Sequence, residues 1–137
     1  MTRRSVSSGS PFEPVIGFTR AVRVGATIHV SGTGPVFPDE LLPPGGFPAD
    51  DPYAQTARAL QIALAAVHDL GGRTSDVVRT RMYLTRAEDW EEVGRAHGEV
   101  FGHVRPASTM VVVRELLDPQ WRIELEIDAV VSDDASA

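Results

Sequence analysis

The sequence of 137 residues contains neither cysteine nor lysine. The absence of cysteine excludes disulfide bonds, thiolate nucleophiles and sulfur-ligated metal sites. The absence of lysine excludes Schiff-base catalysis on a lysine amine, and all 13 basic residues are arginines. Guanidinium is therefore the strong cationic group available for binding carboxylates or phosphates.

Long apolar runs are also missing. No segment approaches the roughly 20 apolar residues of a membrane span, and no apolar stretch follows the arginines at the start of the chain. We therefore expect a cytoplasmic protein without a membrane partner. The net charge of −6 is unfavourable for contacts with phosphate backbones, so we expect no nucleic-acid partner. The four histidines show no metal-ligand spacing, and neither a metal nor another cofactor is expected.

Length and composition indicate one domain. A hydrophobic fraction of 42% with 23% charged residues is typical of globular proteins. We predict a single domain over residues 1–137, with a core over about residues 15–131 and flexible ends at 1–10 and 132–137.

The predicted fold class is α+β. Gly25-Ala26 separates two β-prone runs and predicts a hairpin. Asp51-Pro52 begins an apolar pattern with helical spacing that ends before Gly71, and a capping box is predicted at 85–88 for the second helix. The order ββαβαββ predicts a mostly antiparallel sheet with two helices on one face; its predicted strands cover residues 19–24, 27–31, 77–85, 107–114 and 122–131.

The last predicted strand alternates sharply between apolar and charged side chains. One side carries Ile123, Leu125, Ile127 and Ala129, and the other Arg122, Glu124, Glu126 and Asp128. Like charges on one face are destabilising, so we expect an arginine and glutamate lattice there, with cations supplied by Arg23, Arg79, Arg81 and Arg114. The alternation of strand 77–85 places Val78, Thr80, Met82 and Leu84 on the core side.

No third helix is predicted to cover the charged face. That face is also expected to carry Tyr83, Met110 and Val112. With these side chains the face is more apolar than a solvent-exposed surface normally is. Self-association, with clefts where the subunits meet, resolves this conflict. The alternative is a monomer whose sheet faces solvent.

Four segments resemble a known family: IHVSG at 28–32, DVVR at 76–79, RPA at 105–107 and IELE at 123–126. In order and spacing they resemble the RidA family, also called YjgF or L-PSP endoribonuclease-like, over about residues 15–131. The resemblance implies a trimer similar to chorismate mutase of the trimeric type, with ligand clefts between subunits. It also implies imine deaminase chemistry, in which water attacks the carbon of a 2-aminoacrylate-type imine.

The resemblance also implies particular site residues. Glu124 matches a family glutamate that orients the water or stabilises the iminium, and we predict it as the catalytic residue. In the family's deaminases an arginine directly after Pro-Ala binds the substrate carboxylate, whereas this chain has Ser108, whose hydroxyl cannot replace a bidentate cation. The family's tyrosine falls at Phe18 or Thr19, and its asparagine at Gly94. The predicted substrate-binding residues are Ser108, Ser31, Gly32, Phe18 and Arg105.

Each assignment has an alternative. Glu124 could be a lattice partner of Arg79 or Arg81, Arg105 could form a surface or interface ion pair, and His97 fits a core histidine. Three functions follow. The first is a homotrimer that binds, and as an enzyme hydrolyses, a small imine or enamine-type metabolite. The second is a non-catalytic metabolite-binding or regulatory trimer, and the third, disfavoured by the acidic charge, is ribonuclease or translation inhibition.

Overall fold

The computed structural model describes residues 2–132, in which six strands form one sheet in the spatial order β1-β2-β3-β6-β4-β5. Four neighbouring pairs are antiparallel and one, β4 with β5, is parallel. This confirms the predicted α+β class with a mostly antiparallel sheet. The elements are β1 (Arg3–Val6), α1 (Phe12–Ile16), β2 (Ala21–Val24), β3 (Thr27–Thr33), α2 (Pro52–Asp69), β4 (Val77–Leu84), α3 (Trp90–Phe101), β5 (Ala107–Val112) and β6 (Ile123–Val130).

The first strand of the sheet lies in a segment for which no regular element is predicted. Strand β1 pairs with β2 from Arg3↔Val24 to Val6↔Ala21, so the prediction of a flexible end over residues 1–10 is wrong at Arg3–Val6. The segment has one apolar residue, which left no alternation to detect. The predicted flexible end at 132–137 lies, except for Ser132, outside the described residues.

Helix α2 begins and ends where the sequence predicts. The Asp51 carboxylate accepts a hydrogen bond of 2.9 Å from the Ala54 N–H, and Pro52 occupies the first turn. The left-handed φ of 88° at Gly71 ends the helix. Its apolar side packs on β3 and β6, through the buried residues Ala59, Leu60, Ala63, Ala66 and Val67.

Helix α3 begins differently from the prediction. The capping box expected at 85–88 does not form, since neither Arg86 nor Asp89 makes a side-chain cap hydrogen bond with the described residues. A 3-10 turn at Ala87–Asp89 leads into the helix instead. The Asp89 carboxylate is 4% exposed and binds the Arg122 guanidinium at Nη2 (2.6 Å) and Nε (2.9 Å). Arg122 is thereby withdrawn from the charged face on which alternation had placed it.

The core lies between the sheet and helices α2 and α3. The apolar side of β6 is confirmed, since Ile123, Leu125, Ile127 and Ala129 are at most 1% exposed; each large side chain so buried contributes about 1.5–3 kcal/mol. The core position predicted for Val78 is wrong. A bulge shifts the register between Val77 and Arg79, so Val77 is buried and Val78 is 46% exposed.

The sheet has the predicted charged face, but fewer arginines lie on it than predicted. Arg81 lies 3.1 Å from Asp128 and 4.0 Å from Glu126, and the Tyr83 hydroxyl donates to Glu126 at 2.7 Å. Arg23 is on the helix side instead, as described below, and Arg114 follows the end of β5.

Strand β5 also presents its sides differently. Parallel pairing places Met110 beside Met82 and Val112 beside Leu84, on the helix side, whereas Val111 lies beside Tyr83. Met110 packs against the core, so the charged face carries Val111 in place of the predicted Met110 and Val112.

Candidate functional site

A bulge in β3 shapes the centre of the site. Val30 pairs with Ile127 and Thr33 with Leu125, so Ser31 and Gly32 together lie opposite one residue of β6. The Ser31 hydroxyl donates to the Thr19 carbonyl at 2.6 Å, which fastens the bulge to the residues leading into β2. Ser31 therefore has a structural bond in addition to its predicted contact with a ligand.

Glu124 lies directly over this bulge. A Cβ added to Gly32 would overlap the Oε2 atom of Glu124, so a larger residue there would displace the carboxylate from its present position. Burial raises the pKa of Glu124, repulsion from Glu126 adds to the increase, and Arg20 opposes it. A half-buried carboxyl with a raised pKa is suited to accept a proton near neutral pH.

Arg20 is the site residue that the sequence analysis missed. Its side chain is buried, and its guanidinium donates to the Gly32 carbonyl at 2.6 Å and to the hydroxyls of Thr33 (3.1 Å) and Ser8 (3.0 Å). Its Cζ atom lies 5.5 Å from the centre of the Phe18 ring, within the range of a cation–π contact. Arg20 thus joins the two predicted residues Gly32 and Phe18.

The charge of Arg20 is not neutralised by a direct ion pair. Within the described part of the chain, Arg20 forms no salt bridge, and its Nη2 nitrogen has no hydrogen-bond partner but remains accessible to solvent. Burial lowers the pKa of Arg20, and the charges of Glu13 and Glu124 raise it, in keeping with a guanidinium that stays protonated. One donor of this cation is free to bind an anion.

Glu124 also faces an open cavity. The cavity has a volume of about 410 Å³ and is lined by Glu115, Leu116, Leu117, Pro119 and Glu124. The first four belong to the connection between β5 and β6. The Trp121 ring from the same connection lies so close to Gly34 that a Cβ there would overlap it, which joins this loop to the end of β3. A small molecule in the cavity would contact two carboxylates.

Ser108 lies elsewhere. Parallel pairing puts it beside Thr80, and the two hydroxyls are 2.8 Å apart; Thr80 is also 2.9 Å from Nε2 of His97 on α3. Glu124 pairs with Tyr83, so Ser108 is on the other side of the sheet from the Glu124 carboxylate. Like Met110 and Val112, which share its side of β5, Ser108 therefore lies on the helix side of the sheet. Burial lowers the pKa of His97, the partner of Thr80.

Arg105 is also separate from Glu124. It is exposed, has a left-handed φ of 56°, and donates its backbone N–H to the Phe101 carbonyl at 2.8 Å. It follows α3 and precedes β5, so it lies near Ser108 in sequence. One chain thus brings together Phe18, Ser31, Gly32 and Glu124, and leaves Ser108 and Arg105 outside this group.

Two general features complete the description of the site. Within residues 2–132, no group of three or more His, Asp or Glu side chains is arranged to hold a metal ion. None of the helices in the same range has the length and hydropathy that crossing a bilayer requires.

The sheet with two covering helices, and the Glu124 carboxylate beside an open cavity, define a small α+β domain with a candidate site for a small molecule. The family model described as endoribonuclease L-PSP matches residues 9–131. The chain therefore belongs to this family, which is the RidA or YjgF family that its four sequence segments resemble.

Individual relatives agree with this assignment. An uncharacterised protein of Streptomyces coelicolor is 40% identical over 126 residues, covering 92% of this chain and 90% of the relative. A RutC family protein of Pyrococcus abyssi is 29% identical, covering 76% of this chain and 79% of its own length. The crystal structure of a Mycobacterium tuberculosis member of the YjgF/YER057c/UK114 family is 41% identical with a TM-score of 0.84, covering 95% of this chain and all of that one.

Proposed function

We propose that this protein binds and hydrolyses a small imine or enamine-type metabolite in clefts between the subunits of a homotrimer. The observation that carries this proposal is the position of Glu124, half-buried over Gly32 and open to the cavity. The carboxylates of Glu124 and Glu115 favour a cationic iminium group in the cavity. Family membership supports the same chemistry.

Glu124 acts on the water. Its carboxylate accepts a proton from a water molecule as the oxygen attacks the imine carbon, giving a carbinolamine. The same proton then passes to the carbinolamine nitrogen. The C–N bond breaks as the hydroxyl group gives its proton to Glu124, which leaves a carbonyl compound and ammonia, and Glu124 passes this last proton to solvent. No electron transfer is required, so the step needs no redox cofactor.

Arg20 supplies the cation that Ser108 cannot provide. Its free Nη2 donor lies in the group that contains Gly32 and Phe18, where it binds the carboxylate of the substrate. A charge-assisted hydrogen bond of this type contributes about 1.5–3 kcal/mol. The substrate class is therefore a small imine that carries a carboxylate.

Assembly brings the remaining residues to the cleft. Ser108 and Arg105 lie at or before the start of the edge strand β5, away from Glu124 of the same chain. In the proposed trimer these residues approach Glu124 from a second copy. Sedimentation equilibrium tests the assembly, and a monomer at micromolar concentration would contradict it.

The activity test measures ammonia released from enzymatically generated imines. Glu124→Gln keeps the shape of the side chain and should reduce the rate to that of uncatalysed decay, whereas Glu92→Gln on the exposed side of α3 should leave it unchanged. Arg20→Gln should raise KM for carboxylate-bearing imines more than it lowers kcat. Wild-type rates equal to uncatalysed decay would contradict hydrolysis.

A non-catalytic metabolite-binding or regulatory trimer is the second candidate function. It is favoured by the engagement of the Ser108 hydroxyl with Thr80, in a position where the family's deaminases have an arginine. It predicts that a carboxylate ligand raises the melting temperature without turnover. Ribonuclease activity is disfavoured by the net charge of −6; strong, salt-sensitive RNA binding would support it.

A further inference from the structure

Two arginines converge at the end of the β2–β3 hairpin opposite to Glu124. Arg4 and Arg23 are direct partners across β1 and β2 and so point to the same side of the sheet. Arg23 is also paired with the fully buried Ile28, which identifies this as the helix side. Both guanidiniums reach one carbonyl at the C-terminal end of α2, since Leu70 O accepts from Arg23 at 2.7 Å and from Arg4 at 3.2 Å.

The two positive charges exceed the negative charge that they meet. Within residues 2–132 neither Arg4 nor Arg23 forms a salt bridge, in contrast to Arg81, Arg95 and Arg122. The C-terminal end of a helix presents roughly half an elementary negative charge. Capping α2 therefore accounts for less than one of these cations, and the excess charge favours an anion.

The space beside them is suited to such an anion. A cavity of about 300 Å³ is lined by Thr2, Arg4, Arg23 and Gly25. The Arg23 guanidinium is held by a 2.8 Å bond from Nε to the Gly25 carbonyl, and a Cβ at Gly71 would approach its Nη1 to 2.9 Å. A cation fixed in this way needs little reorganisation to bind a ligand.

The free donors indicate the class of anion. In the described part of the chain, Nη2 of Arg23 and Nε and Nη1 of Arg4 have no hydrogen-bond partner. Donors from two separate guanidiniums fit the tetrahedral oxygens of phosphate better than the two oxygens of a planar carboxylate, and a phosphate dianion balances two cations.

We propose that this cavity, which we call the Arg4–Arg23 pocket, binds a phosphate group, either free or as the monoester of a small metabolite. The pocket is separate from Glu124 and Arg20, so it would respond to a second ligand. Phosphate binding in the Arg4–Arg23 pocket does not depend on the imine chemistry proposed for the Glu124 site.

Isothermal titration at an ionic strength of about 0.15 M, where exposed charges more than about 8 Å apart are largely screened, tests the proposal in the full chain. Inorganic phosphate and phenyl phosphate are titrated separately. Wild type should bind, and Arg4→Gln and Arg23→Gln should each weaken binding roughly 10- to 100-fold. Arg3→Gln is the matched control, because Arg3 is on the same strand but points to the other side of the sheet. It should change the affinity less than about twofold. Tighter binding of phenyl phosphate would identify a monoester as the preferred source.

Three results would overturn the proposal. Failure of wild type to bind either phosphate would leave the arginines as caps of α2. Equal weakening by Arg3→Gln would indicate a diffuse charge effect, and loss of binding in Arg20→Gln would move the phosphate to the first site.

The affinities can be compared only between variants that remain folded. Loss of the Leu70 bond could loosen the end of α2, so far-UV circular dichroism and the melting temperature are measured for each protein. In labelled wild type, phosphate should shift the Nε–Hε resonances of Arg4 and Arg23 while that of Arg3 stays in place. Glu124→Gln should retain wild-type phosphate affinity, so failure of the imine chemistry would not affect this result.

Discussion

The ion pair between Asp89 and Arg122 should be the most sensitive electrostatic contact in the molecule. It joins the start of α3 to the residue before β6, two positions from Glu124. The side chain of Asp89 is 4% exposed and that of Arg122 is 13% exposed. Removing one partner from a buried pair costs about 3–5 kcal/mol, because the other charge is left in a poorly solvated place.

The structure indicates which single variant is worse. Asp89→Ala leaves Arg122 with Asp50 at 3.8 Å, but Asp50 is fully exposed and compensates little. Because Arg122 retains some contact with water, we expect a loss of about 3 kcal/mol in the free energy of unfolding. Arg122→Ala leaves the more deeply buried Asp89 carboxylate unpaired, and we expect a loss of about 4–5 kcal/mol.

Urea unfolding of both single variants and the double variant at one protein concentration gives the coupling energy. The double variant should be less destabilised than the sum of the singles, and each single should lower the melting temperature by about 2–4 °C per kcal/mol. The exposed pair Arg95 and Glu92 is the control and should show no measurable loss. Single losses below about 1 kcal/mol that add without coupling would refute the description of a buried, bidentate pair.

Three further changes test the site and its surroundings. Gly32→Ala would place a Cβ against the Glu124 carboxylate; ligand affinity or turnover should fall roughly 100-fold with an unchanged circular dichroism spectrum, and unchanged function would mean that the carboxylate is not needed there. Glu124→Gln should be more stable than wild type at neutral pH, because the raised pKa of Glu124 makes wild-type stability fall as pH rises from the ordinary carboxyl pKa through the folded value. Urea unfolding across pH should show this advantage disappear in acid, and an advantage that grew in acid would contradict the sign. Thr80→Val removes the hydroxyl between His97 and Ser108 and should cost about 1–3 kcal/mol in thermal unfolding; no loss would mean that solvent replaces both bonds.

Elements with local signals were predictable from the sequence. Asp51-Pro52 and Gly71 bound α2 because capping and a left-handed φ depend on nearby residues. The hairpin around Gly25 and the alternation of β6 have the same local origin. The family resemblance named Glu124, Ser31 and Gly32 separately as site residues, and the closeness of Glu124 to Gly32 became visible only in the structure.

Features that depend on distant pairing were not predictable in the same way. The bulge at Val78 reverses which valine is buried, and no local property distinguishes it from Val77. The side to which Ser108 points is set by its register with β4, which the sequence does not reveal. Arg20 had one usable signal, because it lies in the predicted strand 19–24, opposite Ser31 of the predicted strand 27–31. Its bond to Ser8 depends on the unpredicted N-terminal structure.

The cavity beside Glu124 is lined partly by the sheet and partly by the connection between β5 and β6. Glu124 and Gly32 belong to neighbouring strands inside the sheet, whereas Leu117 and Pro119 belong to the connection between β5 and β6. Insertions are tolerated far better in such connections than in paired strands. Relatives can therefore keep the carboxylate that the sheet positions and diverge in the length and shape of this connection, which sets the outline of the cavity.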